Sequence, residues 1–202
     1  SSDVCSSDLL GVYGMPALTC IVTMHPTTWE HSVFPLPLDL VEKQLVTAIE
    51  GVGINAMKTG MLGSAELVDL VAATIDKYNL QNVVIDPVMV CKGCDLILVP
   101  DAAESIKKLL MPRCDIITPN TVEAAYLADM PEVTTVEQIK EAAEKIVAAG
   151  AKSVVIKGGE RLSDNSAIDI FYDGKEFTEM AVPKIYPSYN HGAGCTFSAA
   201  IT

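Results

Sequence analysis

A single α/β domain, built on a doubly wound, mostly parallel sheet with helices on both faces, is the architecture that this sequence of 202 residues predicts. Three observations point there. Short β-branched apolar runs alternate with longer stretches of helical period, half of the residues are hydrophobic, and no apolar run approaches the roughly 18 residues that a membrane-spanning helix needs. A mean hydropathy of +0.32 is high for such a chain. Strands buried on both faces account for it.

The elements follow in order. Residues 17–24, ALTCIVTM, read as a buried strand. The proline-rich and aromatic stretch after it, residues 25–37, reads as a loop in which Trp29 and His31 either line a flat-ring pocket or, for Trp29, cap the core. Leu40, Val41, Leu45, Val46 and Ile49 form a helical stripe over residues 39–49. A short strand at 56–59 runs into Gly60-Met61-Leu62-Gly63, and Ser64 is placed to cap a helix carrying Leu67, Val68, Leu70, Val71 and Ile75. Residues 83–85 make another buried strand, which ends in Asp86-Pro87.

A carboxylate at the carboxyl end of a parallel strand faces the crevice in which such sheets bind ligands, so Asp86 reads as a metal-side or phosphate-side group, or else as a solvated loop residue. Residues 90–99 form a loop or short hairpin able to fold over a site, 102–110 a helix and 115–118 a strand. Asn120 and Glu123 fall at the next strand-to-helix junction, as ligand groups or as an ordinary helix cap. An amphipathic helix at 136–149 stops at Gly150, and a strand at 153–156 leads into Lys157-Gly158-Gly159. A lysine beside two glycines suits phosphate contact, or is simply a turn lysine. Residues 167–172 and 177–182 complete a hairpin around Asp173-Gly174.

The stretch 190–202, NHGAGCTFSAAIT, carries the most chemistry. Gly192 and Gly194 let the backbone approach a ligand closely, and a helix beginning near Cys195 aims the N–H groups of its first turn at whatever sits there. Phosphate is the obvious guest. The same field favours the Cys195 thiolate, although a cysteine at this position is also a common small core residue.

A formal charge of -12 and a pI near 4.5 argue against a nucleic-acid backbone or an anionic membrane surface as partner. Any phosphate must be held locally, by amides, a lysine and a metal ion. The six cysteines, Cys5, Cys20, Cys91, Cys94, Cys114 and Cys195, lie mostly within core-like or loop patterns and are expected as reduced thiols in a cytoplasmic protein. Cys91 and Cys94 form a C-x-x-C without a second pair at matching spacing, and His25, His31 and His191 are too scattered for a zinc site.

Residues 1–9, SSDVCSSDL, are polar and of low complexity and are expected to be a non-native or disordered leader; 10–202 then form one partial domain. The last helix is cut after about two turns, so both natural ends are expected to be missing, with poor stability and weak activity as the consequence.

KTGMLG (58–63), VIDPVMVCKG (84–93), TPNTVEA (118–124), IKGG (156–159) and HGAGCTFSAAIT (191–202) together resemble the ribokinase-like vitamin kinases, in order and spacing along nearly the whole chain from Leu10. The chain looks like the pyridoxal kinase branch that is close to the hydroxymethylpyrimidine kinases. That resemblance implies a ribokinase-like fold and ATP- and Mg2+-dependent phosphorylation of a hydroxymethyl group on pyridoxal, pyridoxine or pyridoxamine. The alternative is a hydroxymethylpyrimidine or phosphomethylpyrimidine kinase of thiamine biosynthesis.

By the same analogy Cys195, where most of the superfamily has aspartate, is the base, and Gly192 and Gly194 supply amides to the transferring phosphoryl group. Asn120, Glu123, Lys157, Gly158, Gly159, Asp169 and Gly194 map to the nucleotide side, Asp86 and Glu123 to the metal, and His31, Met61 and Cys91 to the substrate ring. Cys91 resembles the second cysteine of a two-cysteine pyridoxal kinase group, and a thiol pair suits an aldehyde. A small-molecule substrate is the implied partner, and a homodimer is one assembly the sequence allows. A catalytically dead fold that only binds vitamin or nucleotide is the reading from outside enzymology.

Overall fold

The computed structural model describes residues 7–28, 31–90, 97–159, 162, 165–186 and 192–202. Its centre is a six-stranded sheet of β3 (Met57–Thr59), β4 (Val83–Ile85), β5 (Ile116–Ile117), β6 (Val154–Lys157), β7 (Ser166–Tyr172) and β8 (Phe177–Pro183), in that spatial order. The strands β3 to β6 are parallel, whereas β7 and β8 add an antiparallel hairpin at one edge. Consecutive residues are buried along β4 and along Val154, Val155 and Ile156 of β6. A strand buried at successive positions is covered on both faces, as the sequence predicts.

Helices connect these strands: α1 (Leu38–Val46, continued by a wider turn over Thr47–Val52), α2 (Ala65–Tyr78), α3 (Pro100–Ser105, continued through Ile106–Leu110 and Met111–Arg113), α4 (Thr121–Leu127), α5 (Val136–Ala148) and α6 (Ala193–Ile201). Their ends follow local chemistry. Ser64 Oγ accepts from the Leu67 amide at 3.2 Å to start α2, and Asn79, in the left-handed region at φ 48°, ends it. In α5 the buried residues Ile139, Ala142, Ala143 and Ile146 stand at i, i+3, i+4 and i+7, one face turned to the core. Truncating Ile146 to alanine would cost about 2–5 kcal/mol, mostly in lost packing.

Two expectations are corrected. Residues 17–24 do not form a buried strand: β1 (Cys20–Met24) pairs antiparallel only with β2 (His31–Pro35), which lies inside the stretch expected as loop. Ile21 stands opposite Phe34, and Val22 opposite Val33, in a separate ribbon on which all four are exposed. Their β-branched and aromatic character made the strand; it did not give it a core to enter. The ribbon is fastened at its base, where Gln44 of α1 accepts from the Leu18 amide (2.9 Å) and donates to the Leu18 carbonyl (3.1 Å).

Candidate active site

Four parallel strands bring their carboxyl ends to one edge of the sheet, and this sets Thr59, Asp86, Thr118 and Lys157 in a row. Asn120 and Lys157 extend the parallel pairing by one bridge, with the Lys157 amide donating to the Pro119 carbonyl at 2.8 Å. Asp86, only 4% exposed, is the hub. Its Oδ1 accepts from Lys157 Nζ at 3.2 Å and from Thr118 Oγ1 at 3.3 Å, and its Oδ2 accepts from Ser198 Oγ at 3.1 Å. A buried carboxylate is tolerated only when paired and hydrogen-bonded in this way.

Helix α6 delivers its N-terminus to the same place. Gly192, at φ 78°, occupies the left-handed region that favours glycine, and its carbonyl accepts the first helical bond from the Thr196 amide at 2.9 Å. A Cβ built on Gly194 would stand 3.5 Å from Lys157 Nζ. The lysine ammonium and the positive end of the helix therefore converge, a field suited to an anion. Cys195 lies in that first turn, half-buried, and its carbonyl is 3.1 Å from the Ser198 hydroxyl.

Asn120 and Glu123 form a capping box. Asn120 Oδ1 accepts from the amides of Val122 and Glu123 at 2.9 Å each, and Glu123 Oε2 accepts from the Asn120 amide at 2.8 Å. Glu123 Oε1 also accepts from the Met89 amide at 3.2 Å, which ties the turn after Asp86 to the start of α4. Burial pushes the Glu123 carboxyl up to about 7, against the pull of the Asn120 amide, the Lys157 charge and the Met89 amide.

On β7, Asp169 stands opposite Lys157, and its Oδ1 accepts from the Gly159 amide at 3.2 Å. Burial raises its pKa, with the Gly159 and Gly158 amides opposing. A Cβ on Gly158 would collide with the Leu162 side chain and the Ile168 carbonyl, so position 158 admits no side chain.

Met61 follows β3 at the same edge, half-buried; its carbonyl accepts from Thr19 Oγ1 at 2.9 Å and its sulfur touches Cys20 Sγ at 3.8 Å. The backbone of His31 is in β2, while its side chain, Trp29, Cys91, Cys94 and His191 lie outside what the structure describes. The flanks of the Cys91 segment are pinned to each other by a bridge between Val90 and Ile97. Among the described residues no three His, Cys, Asp or Glu side chains cluster around a metal position, and no helix is long and apolar enough to cross a membrane.

Sequence reasoning passed over Thr118 and Ser198, which both bind Asp86. Ser198 carried a signal, since it stands three residues after Cys195 and so on the same helical face.

Comparison with known proteins gives this edge its context. The family description "Phosphomethylpyrimidine kinase" matches residues 1–202. The chain belongs to the phosphomethylpyrimidine kinase family. As a member of this kinase family it is a phosphotransferase with an alcohol acceptor. The pyridoxine kinase of Bacillus subtilis (strain 168) is 49% identical over 192 residues, a span that covers 95% of this chain and 71% of that protein. The hydroxymethylpyrimidine/phosphomethylpyrimidine kinase of the same organism is 39% identical over 201 residues, covering 100% of this chain and 73% of that one. The structure of the pyridoxal kinase from Staphylococcus aureus in complex with AMP-PCP and pyridoxal superposes with a TM-score of 0.90 at 43% identity, over 98% of this chain and 71% of its own.

Proposed function

We propose that this family member transfers the terminal phosphoryl group of ATP to the hydroxymethyl group of pyridoxal, pyridoxine or pyridoxamine, with Cys195 as the base. One observation carries the reading: the Lys157 ammonium, held by buried Asp86, stands against the first turn of α6, which bears Cys195. The Staphylococcus aureus relative was crystallised with a nucleotide analogue and pyridoxal together, and the Bacillus subtilis relative is a pyridoxine kinase.

In the proposed step the substrate O–H proton passes to Cys195 Sγ, the freed oxygen bonds to the γ-phosphorus, and the bond from that phosphorus to the oxygen bridging to the β-phosphate breaks, releasing ADP. Lys157 and the amides of residues 192–195 face the charge on the transferring oxygens, where preorganised donors are worth most. Asn120, Glu123 and Asp169 shape the two turns, at 118–123 and 157–159, between which the nucleotide lies. Met61 faces the substrate ring, the side to which the family resemblance also assigns His31 and Cys91.

The carboxylates fit a magnesium ion only in part. Asp86 and Glu123 already accept from protein donors, which suits an ion that keeps its waters and arrives on the nucleotide phosphates. Bound so, it would neutralise charge on the β- and γ-phosphates.

The test is turnover of pyridoxal and of hydroxymethylpyrimidine with MgATP, and of the Cys195→Ala variant. Pyridoxal should be preferred, and the variant should lose about 100-fold or more in kcat. Unchanged turnover by Cys195→Ala removes the cysteine as base. A strong preference for the pyrimidine favours the second reading, for which the 39% identical relative speaks.

A further inference from the structure

Ser198 is completely buried in α6, where packing alone asks for no hydroxyl. Its Oγ lies 3.1 Å from Asp86 Oδ2 and 3.1 Å from the Cys195 carbonyl. A hydroxyl has one proton to give, and a carboxylate is the stronger acceptor, so the proton goes to Asp86. The other oxygen of that carboxylate holds Lys157 Nζ. Lys157 in turn stands beside Gly194, four residues before Ser198 on the same helix. Two hydrogen bonds and one close approach thus make a ring: helix to carboxylate, carboxylate to lysine, and lysine beside the helix.

We propose that Ser198 is a positioning residue, which by donating to Asp86 fixes the first turn of α6 and the Lys157 ammonium in one geometry around the transferring phosphoryl group. This rests on the kinase reading above. Without the hydroxyl, Asp86 keeps Lys157 but loses its direct bond to the helix, and the sulfur of Cys195 is free to shift against the ammonium. Small misplacements of this kind weigh on the chemical step more than on ground-state binding.

The test uses Ser198→Ala, which removes the hydroxyl, and Ser198→Cys, which keeps a side chain of similar volume but offers only a weak donor. Both are compared with the parent for kcat and KM with pyridoxal and MgATP, at a temperature where each is folded by circular dichroism, and for hydrogen exchange at the amides of residues 196–199, the first that are bonded within the helix. Both variants should lose about tenfold or more in kcat with KM for pyridoxal changed by less than about twofold, and exchange at 196–199 should quicken. Should Ser198→Ala fail to fold, Ser198→Cys carries the same expectation. A folded Ser198→Cys with parental kcat overturns the proposal, because it assigns the residue to packing alone. If the parent itself transfers no phosphoryl group to pyridoxal, the kinase reading fails separately, and exchange still decides: unchanged protection at 196–199 overturns the positioning role, and faster exchange supports it.

Discussion

The edge around Asp86 and the ribbon of β1 and β2 are made from similar strand-forming residues and end in opposite conditions. At the edge, neighbouring strands bury each other, and the few polar groups left inside saturate one another: Asp86 meets Lys157, Thr118 and Ser198. On the ribbon, Ile21 and Phe34 face each other across two strands and remain 55% and 56% exposed. Position in the sheet, rather than side-chain type, separates a buried polar centre from an exposed apolar ribbon. A two-stranded ribbon has little stability of its own, so its anchorage through Gln44 and Thr19 carries it. The Thr19 bond reaches Met61 and so joins the base of the ribbon to the proposed ring pocket.

The contrast can be broken most forcefully at Lys157. Lys157→Ala strands Asp86 as a buried, unpaired charge and should cost about 3–5 kcal/mol, read by chemical denaturation. At a temperature where the variant is folded, kcat should also fall by about 100-fold or more. A variant with parental stability would show that the hub is not held by its ion pair.

A smaller effect is expected from the charge state of Glu123. Its folded pKa of about 7 lies above the ordinary 4.5, so the folded state binds the proton more tightly than the unfolded one. The stability linked to that proton is complete below pH 4.5 and is lost as pH rises through about 7. Relative to the parent without nucleotide, Glu123→Gln should gain of order 2–3 kcal/mol across this window, on top of a fixed loss from its imperfect cap. Parallel stability curves for the two proteins would contradict the raised pKa of the Glu123 carboxyl.

Smallest of all should be Phe34→Ser on the exposed ribbon, with a change within about 0.5 kcal/mol. A larger loss in calorimetry would mean that the ribbon is packed rather than exposed.

Much of this was legible in the chain. The strands at 83–85 and 153–156 announced themselves by unbroken apolar runs between amphipathic helices, and Asp86 and Lys157 followed as the polar residues at their carboxyl ends. The ribbon was not legible, because alternation and β-branching report strand formation but not whether a second layer lies above. β2 was further hidden by Pro35 and Pro37, which read as loop; Pro35 in fact ends the strand and Pro37 stands just before the first turn of α1. Ser198 was missed for a related reason: in a run of small residues a serine looks like filler, and its partner lies far away in sequence.

That distance has a consequence for how the protein is made. Asp86 and Ser198 are separated by 112 positions, and contacts of such long range close late, after the loops between them have been drawn in. A chain emerging from the ribosome carries the aspartate without its last partner until α6 has been synthesised and docked. Competence should therefore arrive abruptly when α6 docks, and a refolding experiment in which nucleotide binding lags behind the recovery of sheet circular dichroism would be its signature.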